Sequence, residues 1–194
     1  LNSKKIEQAH LIFGFLGNRM GHSARFVEAI LASILGGGMS SRLFLEIRER
    51  RGLAYAVRTS TEHYSDTGYF ATYVGIDPKN IIETMEIINA EHKKLTKSIN
   101  LKQEELDKAK EYVKGHFVLS LEDTKDVSHF FGEDELILGK MLSTKEVIQR
   151  IDKVSIDEIS RVANEIFRPE RISLAIIGPY RDSERFDKYL RDNF

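Results

Sequence analysis

The chain has no cysteine, almost no net charge and no long hydrophobic run. Without cysteine there can be no disulfide, thiolate metal ligand or cysteine nucleophile, and we expect a protein of the reducing cytoplasm. The 29 basic and 30 acidic residues nearly cancel, which argues against binding to nucleic acid or an anionic membrane. No apolar run approaches the roughly 20 residues of a membrane-spanning helix, and the first residues show no signal-peptide pattern.

The composition that remains is typical of one globular domain, which we expect to span residues 1–194. Apolar residues make up 41% of the chain and charged residues 30%, as in ordinary water-soluble proteins. This length can bury one sizeable core but is short for two ordinary domains. Because the chain starts at Leu1 and not at methionine, we expect a fragment or a processed chain.

Hydrophobic spacing and turn signals predict an α+β fold of two layers, a mainly antiparallel sheet with helices packed on one face. The predicted elements are a strand Gln8–Leu16, a helix Ser23–Leu35, a short helix from Ser40 or Ser41 to about Arg51, a hairpin of Ala54–His63 with Thr67–Ile76, a helical block from Asp77 to Pro169, a strand Ile172–Ile177 and a helix Ser183–Leu190. Three capping boxes are expected within the helical block, at Asn100 with Gln103, Ser143 with Glu146 and Ser155 with Glu158.

The segment Leu35–Val57 holds the candidate functional residues. Gly36–Gly38 form either a plain turn or a cradle in which a ligand approaches the backbone closely. On an α-helical wheel Arg48 falls in the apolar sector, so its guanidinium should bond a buried carboxylate or project into a cleft. Tyr55 follows seven residues later, on a strand face that we expect it to share with Val57, Thr59 and Thr61.

This segment closely resembles the corresponding stretch of the pitrilysin, insulysin and mitochondrial processing peptidase family of zinc metallopeptidases. A looser resemblance runs from Gln8 to Pro179. Enzymes of this family are built from two similar halves that close on a chamber, and the N-terminal half carries the inverted zinc motif His-x-x-Glu-His. The present chain lacks that motif, since its nearest approach, Ile88–His92, begins with isoleucine. The resemblance therefore implies the C-terminal half, with zinc bound by the other half and no metal site here.

The resemblance also implies what each candidate residue does. Arg48 and Tyr55 match the arginine and tyrosine with which this half reaches the substrate, so they become the catalytic candidates. In such enzymes zinc polarises the scissile carbonyl, the motif glutamate activates water, and these two donors hold the substrate and the developing oxyanion. Gly36, Gly37 and Gly38 become candidates for lining the substrate channel. This glycine segment is shorter than the glycine-rich loop of the mitochondrial enzyme, which weakens an inference of presequence specificity.

The expected function is therefore that of one half of a zinc metalloendopeptidase, inactive alone, that cleaves extended peptides together with a zinc-bearing half or subunit. A homodimer and a heterodimer both stay open. The alternative is a structural or regulatory homologue that acts as an assembly subunit without catalysis. The presence or absence of His-x-x-Glu-His ahead of Leu1 in the parent gene, or in a neighbouring gene, separates these hypotheses.

Two further groups of residues favour structural roles. The six histidines show no metal-ligand spacing, and His92 is expected to be half-buried and hydrogen-bonded. A group of large apolar residues is more typical of core than of a partner surface. Its members are Phe117, Phe130, Phe131, Leu136 and Ile137.

Overall fold

The computed structural model describes residues 1–193 and contains one five-stranded sheet with helices on one face. The strands are β1 (Asn2–Ser3), β2 (Ala9–Gly17), β3 (Ala54–His63), β4 (Gly68–Ile76) and β5 (Ile172–Gly178). The helices are α1 (Arg25–Gly36), α2 (Ile81–Leu95), α3 (Gln103–Ser120), α4 (Thr124–Glu133), α5 (Thr144–Asp152), α6 (Ile156–Ile166) and α7 (Glu184–Asn193). The strand order is β1-β5-β2-β4-β3, and the β1–β5 pairing is the parallel one. The predicted α+β class is confirmed.

Alternation along the strands separates a buried face of the sheet from an open one. In β2 every second residue from Ala9 to Phe15 is buried beneath the helices. The residues between them point to the opposite face, where Ile12, Leu16 and Ile177 are each at least 40% exposed. The sheet therefore has one face filled by the core and a second face that is partly apolar and open to solvent.

Helix α1 lies at the centre of the core. It contacts β3, α3 and α6, and its residues Ile30, Leu31 and Leu35 are completely buried. Burial of each such side chain stabilises the fold by about 1.5–3 kcal/mol. Because α1 ends directly beneath β3, the glycine segment that follows it is held against the edge strand of the sheet.

The predicted hairpin is confirmed, with one difference at its start. Pairing of β3 with β4 is continuous from Val57 opposite Val74 to the turn, but the register shifts between Ala54 and Ala56. Tyr55 is therefore the extra residue of a β-bulge. The bulge breaks the strict alternation from which Tyr55 was expected to share a face with Val57, and Tyr55 is 71% exposed whereas Val57 packs against the core.

Two of the three predicted capping boxes are confirmed. Ser143 with Glu146 and Ser155 with Glu158 form both reciprocal bonds. The third box was wrong, because α3 begins after Lys102 and the Asn100 side chain instead donates to the carbonyl of Lys94 at 3.0 Å. That bond closes the C-terminal end of α2.

The short helix after the glycines also starts differently from the prediction. No serine side chain caps it, since the Ser41 hydroxyl donates to the carbonyl oxygen of Gly38 at 2.5 Å. Residues Phe44–Glu49 then wind as a π-type helix. Its wider turn is shown by the bond from the Arg50 amide to the Leu45 carbonyl, five residues back, at 2.9 Å.

The apolar group on α3, α4 and the following turn is only partly core. Phe117 and Phe130 pack against the core with ring centroids 5.2 Å apart. The core prediction was wrong for Leu136, which is 87% exposed, and for Ile137, which is 40% exposed. Across residues 1–193, no helix combines the length and the apolar character needed to cross a bilayer.

Candidate functional site

The glycine segment allows an unusually close approach between α1 and β3. A Cβ atom on Gly36 would lie 2.6 Å from the Thr59 amide nitrogen, and one on Gly37 would lie 2.6 Å from the Ser33 Cα. A Cβ on Gly38 would lie 3.0 Å from the Tyr112 ring. Glycine is therefore required at positions 36 and 37 for packing, so the plain structural interpretation of the segment holds there.

The same glycines line a surface cleft of about 770 Å³. Its walls are the end of α1, the β3 residues Val57–Thr61, the side of α3 and the ring of Phe44. The lining contains no carboxylate among the described residues. Gly36 is buried although it borders the cleft, whereas Gly37 and Gly38 are half-buried. The packing role and the place in the cleft lining, the two interpretations left open by the sequence, are therefore compatible for this segment.

Tyr112 and His116 of α3 are cleft residues that the sequence analysis did not single out. The two residues are one helical turn apart, and their rings are in contact with centroids 4.3 Å apart and planes tilted by 52°. The i,i+4 spacing of an aromatic residue and a histidine was the available signal. Nothing in the sequence, however, indicated that this side of α3 lies opposite the glycine segment.

Arg48 is exposed at the solvent face of the π-type helix. Its guanidinium carbon lies 5.0 Å from the centroid of the Phe44 ring, a cation–π contact. No carboxylate within residues 1–193 pairs with it, so the buried-carboxylate alternative was wrong. Of the positions around it, Leu43 and Ile47 are the buried ones, because the widened turn displaces Arg48 from the apolar sector.

Tyr55 stands at the start of β3, close along the chain to Arg48. The Gly52 amide donates to the Arg48 carbonyl at 3.1 Å, and the Leu53 amide donates to the Ile47 carbonyl at 2.8 Å. Gly52 has φ +61°, which permits this tight exit from the helix. The bonds fold the segment back on the helix, so the two exposed donors, a guanidinium and a phenol, flank one tight corner of the chain. Neither belongs to the lining of the cleft, although Phe44 does.

Arg42 fastens this corner to the helical layer. Its guanidinium forms two bonds with the Glu105 carboxylate, at 2.6 and 2.7 Å, and a third with the Asn100 carbonyl at 2.7 Å. Glu91 lies 3.6 Å away. Although burial alone would lower the pKa of Arg42, the bond to Glu105 and the two carboxylate charges raise it overall. Bidentate geometry of this kind fixes direction as well as distance.

Glu91 and His92, which end the stretch most similar to a zinc motif, make other contacts. Glu91 bonds Lys94 at 2.6 Å. His92 is completely buried among Phe13, Phe15 and Phe167, and neither ring nitrogen has a hydrogen-bond partner among the described residues. Burial lowers the pKa of His92 to about 3. The expectation of a half-buried, hydrogen-bonded histidine was therefore wrong.

A second buried polar group lies where β2 and the hairpin meet α1. The Glu28 carboxylate is fully buried, accepts a bond from the Asn18 amide at 2.5 Å and lies 3.8 Å from Nδ1 of His63. Burial raises the pKa of Glu28, against the opposing effects of Asn18 and His63. Within residues 1–193, no group of three or more His, Asp or Glu side chains could hold a metal ion.

Comparison with known proteins adds to this geometry. Residues 1–113 match the family model described as the peptidase M16 inactive domain. An uncharacterized zinc protease of Streptomyces coelicolor is 36% identical over 95% of this chain and 40% of its own length. One of Bacillus subtilis is 36% identical over 91% of this chain and 42% of its own. The chain thus spans about two fifths of the length of these curated relatives.

Solved structures have the same architecture. A protease from Helicobacter pylori aligns with a TM-score of 0.80 at 25% identity, covering 92% of this chain and 43% of that one. A chain of complex III2 from Candida albicans aligns with a TM-score of 0.88 at 18% identity, over 99% of this chain and 48% of that one. At 18% identity, the similarity to the complex III2 chain shows only that the fold is shared.

Proposed function

The chain belongs to the peptidase M16 inactive domain family, and on that premise we propose that it forms the zinc-free wall of a two-half zinc endopeptidase. Relatives named as zinc proteases support a role in proteolysis, and the larger part of each relative lies outside the matched region. Because no set of side chains in residues 1–193 fits zinc, the metal is assigned to a counterpart half or subunit. This chain is inactive without that counterpart.

The observation that carries the proposal is the exposure of Arg48 and Tyr55 on one corner. Each is a strong hydrogen-bond donor, and neither side chain bonds a polar group among the described residues. Donors left free in this way are available to a carbonyl oxygen of an extended peptide and to negative charge that develops on it. Both side chains are therefore assigned to substrate and oxyanion binding.

The glycine segment supports the same proposal, because it lines a cleft in which a peptide substrate could bind. Gly36, Gly37 and Gly38 line the 770 Å³ cleft next to the corner, and at the half-buried Gly37 and Gly38 no side chain separates the backbone from a bound peptide. The partly apolar open face of the sheet, with Ile12 and Leu16, supports docking against another protein surface. That face suits the alternative as well, in which the chain is a structural or regulatory assembly subunit.

The test is peptide cleavage by the chain assembled with its zinc-bearing counterpart. We expect Arg48→Ala and Tyr55→Phe each to lower kcat by about 10²–10³, because each removes one donor to the transition state. Thermal unfolding should not change, since both side chains are exposed. Arg181→Ala and Tyr64→Phe are matched controls, because they remove an exposed arginine far along the chain from Arg48 and an exposed tyrosine hydroxyl beyond the opposite end of β3 from Tyr55.

Two results would reject parts of this proposal. If the Arg48 and Tyr55 variants cleave as fast as the controls, the roles of the two donors are wrong. If the assembled wild-type protein with zinc cleaves no extended peptide, the structural or regulatory alternative takes its place. The second result is expected whenever neither the parent chain nor a partner carries His-x-x-Glu-His.

A further inference from the structure

Two of the three arginines on the π-type helix and its exit turn share a carboxylate, and Arg48 does not. Arg50 bonds one oxygen of Glu46, and Arg51 bonds the other. Arg51 also donates to the Glu46 carbonyl at 2.9 Å. These contacts, with the bond from Arg51 contributing most, lower the pKa of Glu46. Glu46 thus has both carboxylate oxygens occupied, and it leaves Arg48 without an anionic partner in the described part of the chain.

Phe44 contacts the guanidinium of Arg48 from below. Its half-buried ring lines the cleft on one side and lies 5.0 Å from the guanidinium carbon on the other. The hydrogen bond from the Arg50 amide to the Leu45 carbonyl, five residues back, widens the helical turn that contains Phe44 and Arg48. In that wider turn Ile47 fills the buried position, and Arg48 lies over the aromatic face.

The chemistry of this contact differs from that of an ion pair. A carboxylate would occupy the N–H groups of the guanidinium, whereas an aromatic face attracts the charge and leaves those N–H groups free. A ring below the guanidinium therefore restricts its orientation without competing with a substrate oxygen. An unpaired arginine on the surface would otherwise sample many rotamers, at a cost in side-chain entropy whenever it binds.

We propose that Phe44 is a positioning residue for Arg48. The π-type turn places the Phe44 ring against the guanidinium, and the ring holds the guanidinium in the orientation needed to bind the substrate. This inference rests on the proposed function of Arg48. Phe44 itself donates no hydrogen bond, and its effect on catalysis passes through the arginine. Loss of the ring should therefore reduce the same kinetic parameter as loss of the guanidinium, and to a smaller extent.

The test is a double-mutant cycle in the assembled enzyme with one fluorogenic peptide. Phe44→Leu should lower kcat about tenfold. This is more than the roughly two- to fivefold that an exposed cation–π contact contributes, because a misplaced guanidinium also binds the transition state less well. It is less than the loss of about 10²–10³ expected when the donor itself is removed. Phe44→Tyr, which keeps the ring, should restore the rate. In the Arg48→Ala background, Phe44→Leu should have no further effect.

Three outcomes overturn the proposal. The first is an additive cycle, which would mean that Phe44 acts independently as part of the cleft wall. The second is a change in KM alone. The third is a Phe44→Tyr variant as slow as Phe44→Leu although both melt like the wild type.

A readout without activity separates this inference from the proposed function. In NMR spectra of the full protein, the ring current of Phe44 should shift the Arg48 side-chain protons upfield. That shift should be lost in Phe44→Leu and kept in Phe44→Tyr. If Arg48→Ala left cleavage unchanged, the proposed function would fail while this shift still reported the contact. Absence of the shift in the wild type would refute the positioning role even if Arg48 were catalytic.

Discussion

Gly36 offers a direct test of how tightly α1 is packed against the edge strand. In Gly36→Ala the new methyl group would lie 2.6 Å from the Thr59 amide nitrogen, closer than carbon and backbone nitrogen can approach. Thr59 cannot easily move, because it is buried and its hydroxyl lies 3.0 Å from that of Thr72. The helix and the strand must therefore separate.

The size of the effect follows from two opposing terms. Overpacking a rigid site costs about 1–3 kcal/mol. Replacing glycine by alanine in a helix interior returns about 0.5–1 kcal/mol, and less at the last residue of α1. We expect a net loss of about 1–2 kcal/mol in the free energy of unfolding, which for a chain of this size lowers Tm by about 2–8 °C.

Gly115 provides the matched control. It lies in the exposed interior of α3, where an added Cβ would meet nothing within 4 Å. Gly115→Ala should therefore stabilise the protein by about 0.5–1 kcal/mol, opposite in sign to Gly36→Ala. Urea unfolding followed by circular dichroism measures both variants against the wild type. Equal or greater stability of Gly36→Ala, with Gly115→Ala behaving as expected, would refute the packing argument.

Two buried titratable groups, His92 and Glu28, give pH-dependent predictions of opposite sign. Because the pKa of folded His92 is about 3 and its ordinary value is 6.5, stability is fully present above pH 6.5 and is lost as the pH falls. Urea unfolding at pH 7 and pH 4.5 should show a loss about 2–3 kcal/mol larger in the wild type than in His92→Leu, and equal losses would contradict the assignment. The raised pKa of Glu28 acts in the other direction, since its contribution is present below the ordinary value of 4.5 and is lost as the pH rises through the raised value. The stability of Glu28→Gln minus that of the wild type should therefore increase between pH 4 and pH 7, and a difference that stays constant or decreases over this range would count against it.

Much of the fold could be predicted because local patterns specify local structure. The apolar run from Gln8 to Leu16, bounded by a turn signal, predicted a strand, although it also predicted a largely buried one and Ile12 and Leu16 are exposed on the open face. The boxes at Ser143 and Ser155 are completed by bonds within four residues, so nothing distant could override them. The box at Asn100 failed because Lys94, at the end of the preceding helix, offered a carbonyl that the local pattern does not include.

Candidate residues for the site could be named from the sequence, but their arrangement could not be predicted. These candidates were found through the resemblance of Leu35–Val57 to a peptidase family, whereas the periodicity alone placed Arg48 in an apolar sector. The π-type turn and the bulge at Tyr55 changed where both side chains point. Each is a one-residue irregularity in hydrogen bonding, for which the wheel and the strand alternation make no allowance.

By itself, then, the sequence determined the order of helices and strands, the class of the fold and the absence of an inverted zinc motif, because these depend on spacing and composition along the chain. Tertiary structure alone decided that Tyr112 and His116 share a cleft with the glycines and that His92 is enclosed by phenylalanines. These contacts join residues that are far apart in the sequence, and local sequence patterns do not determine which surfaces of the helices and strands pack together.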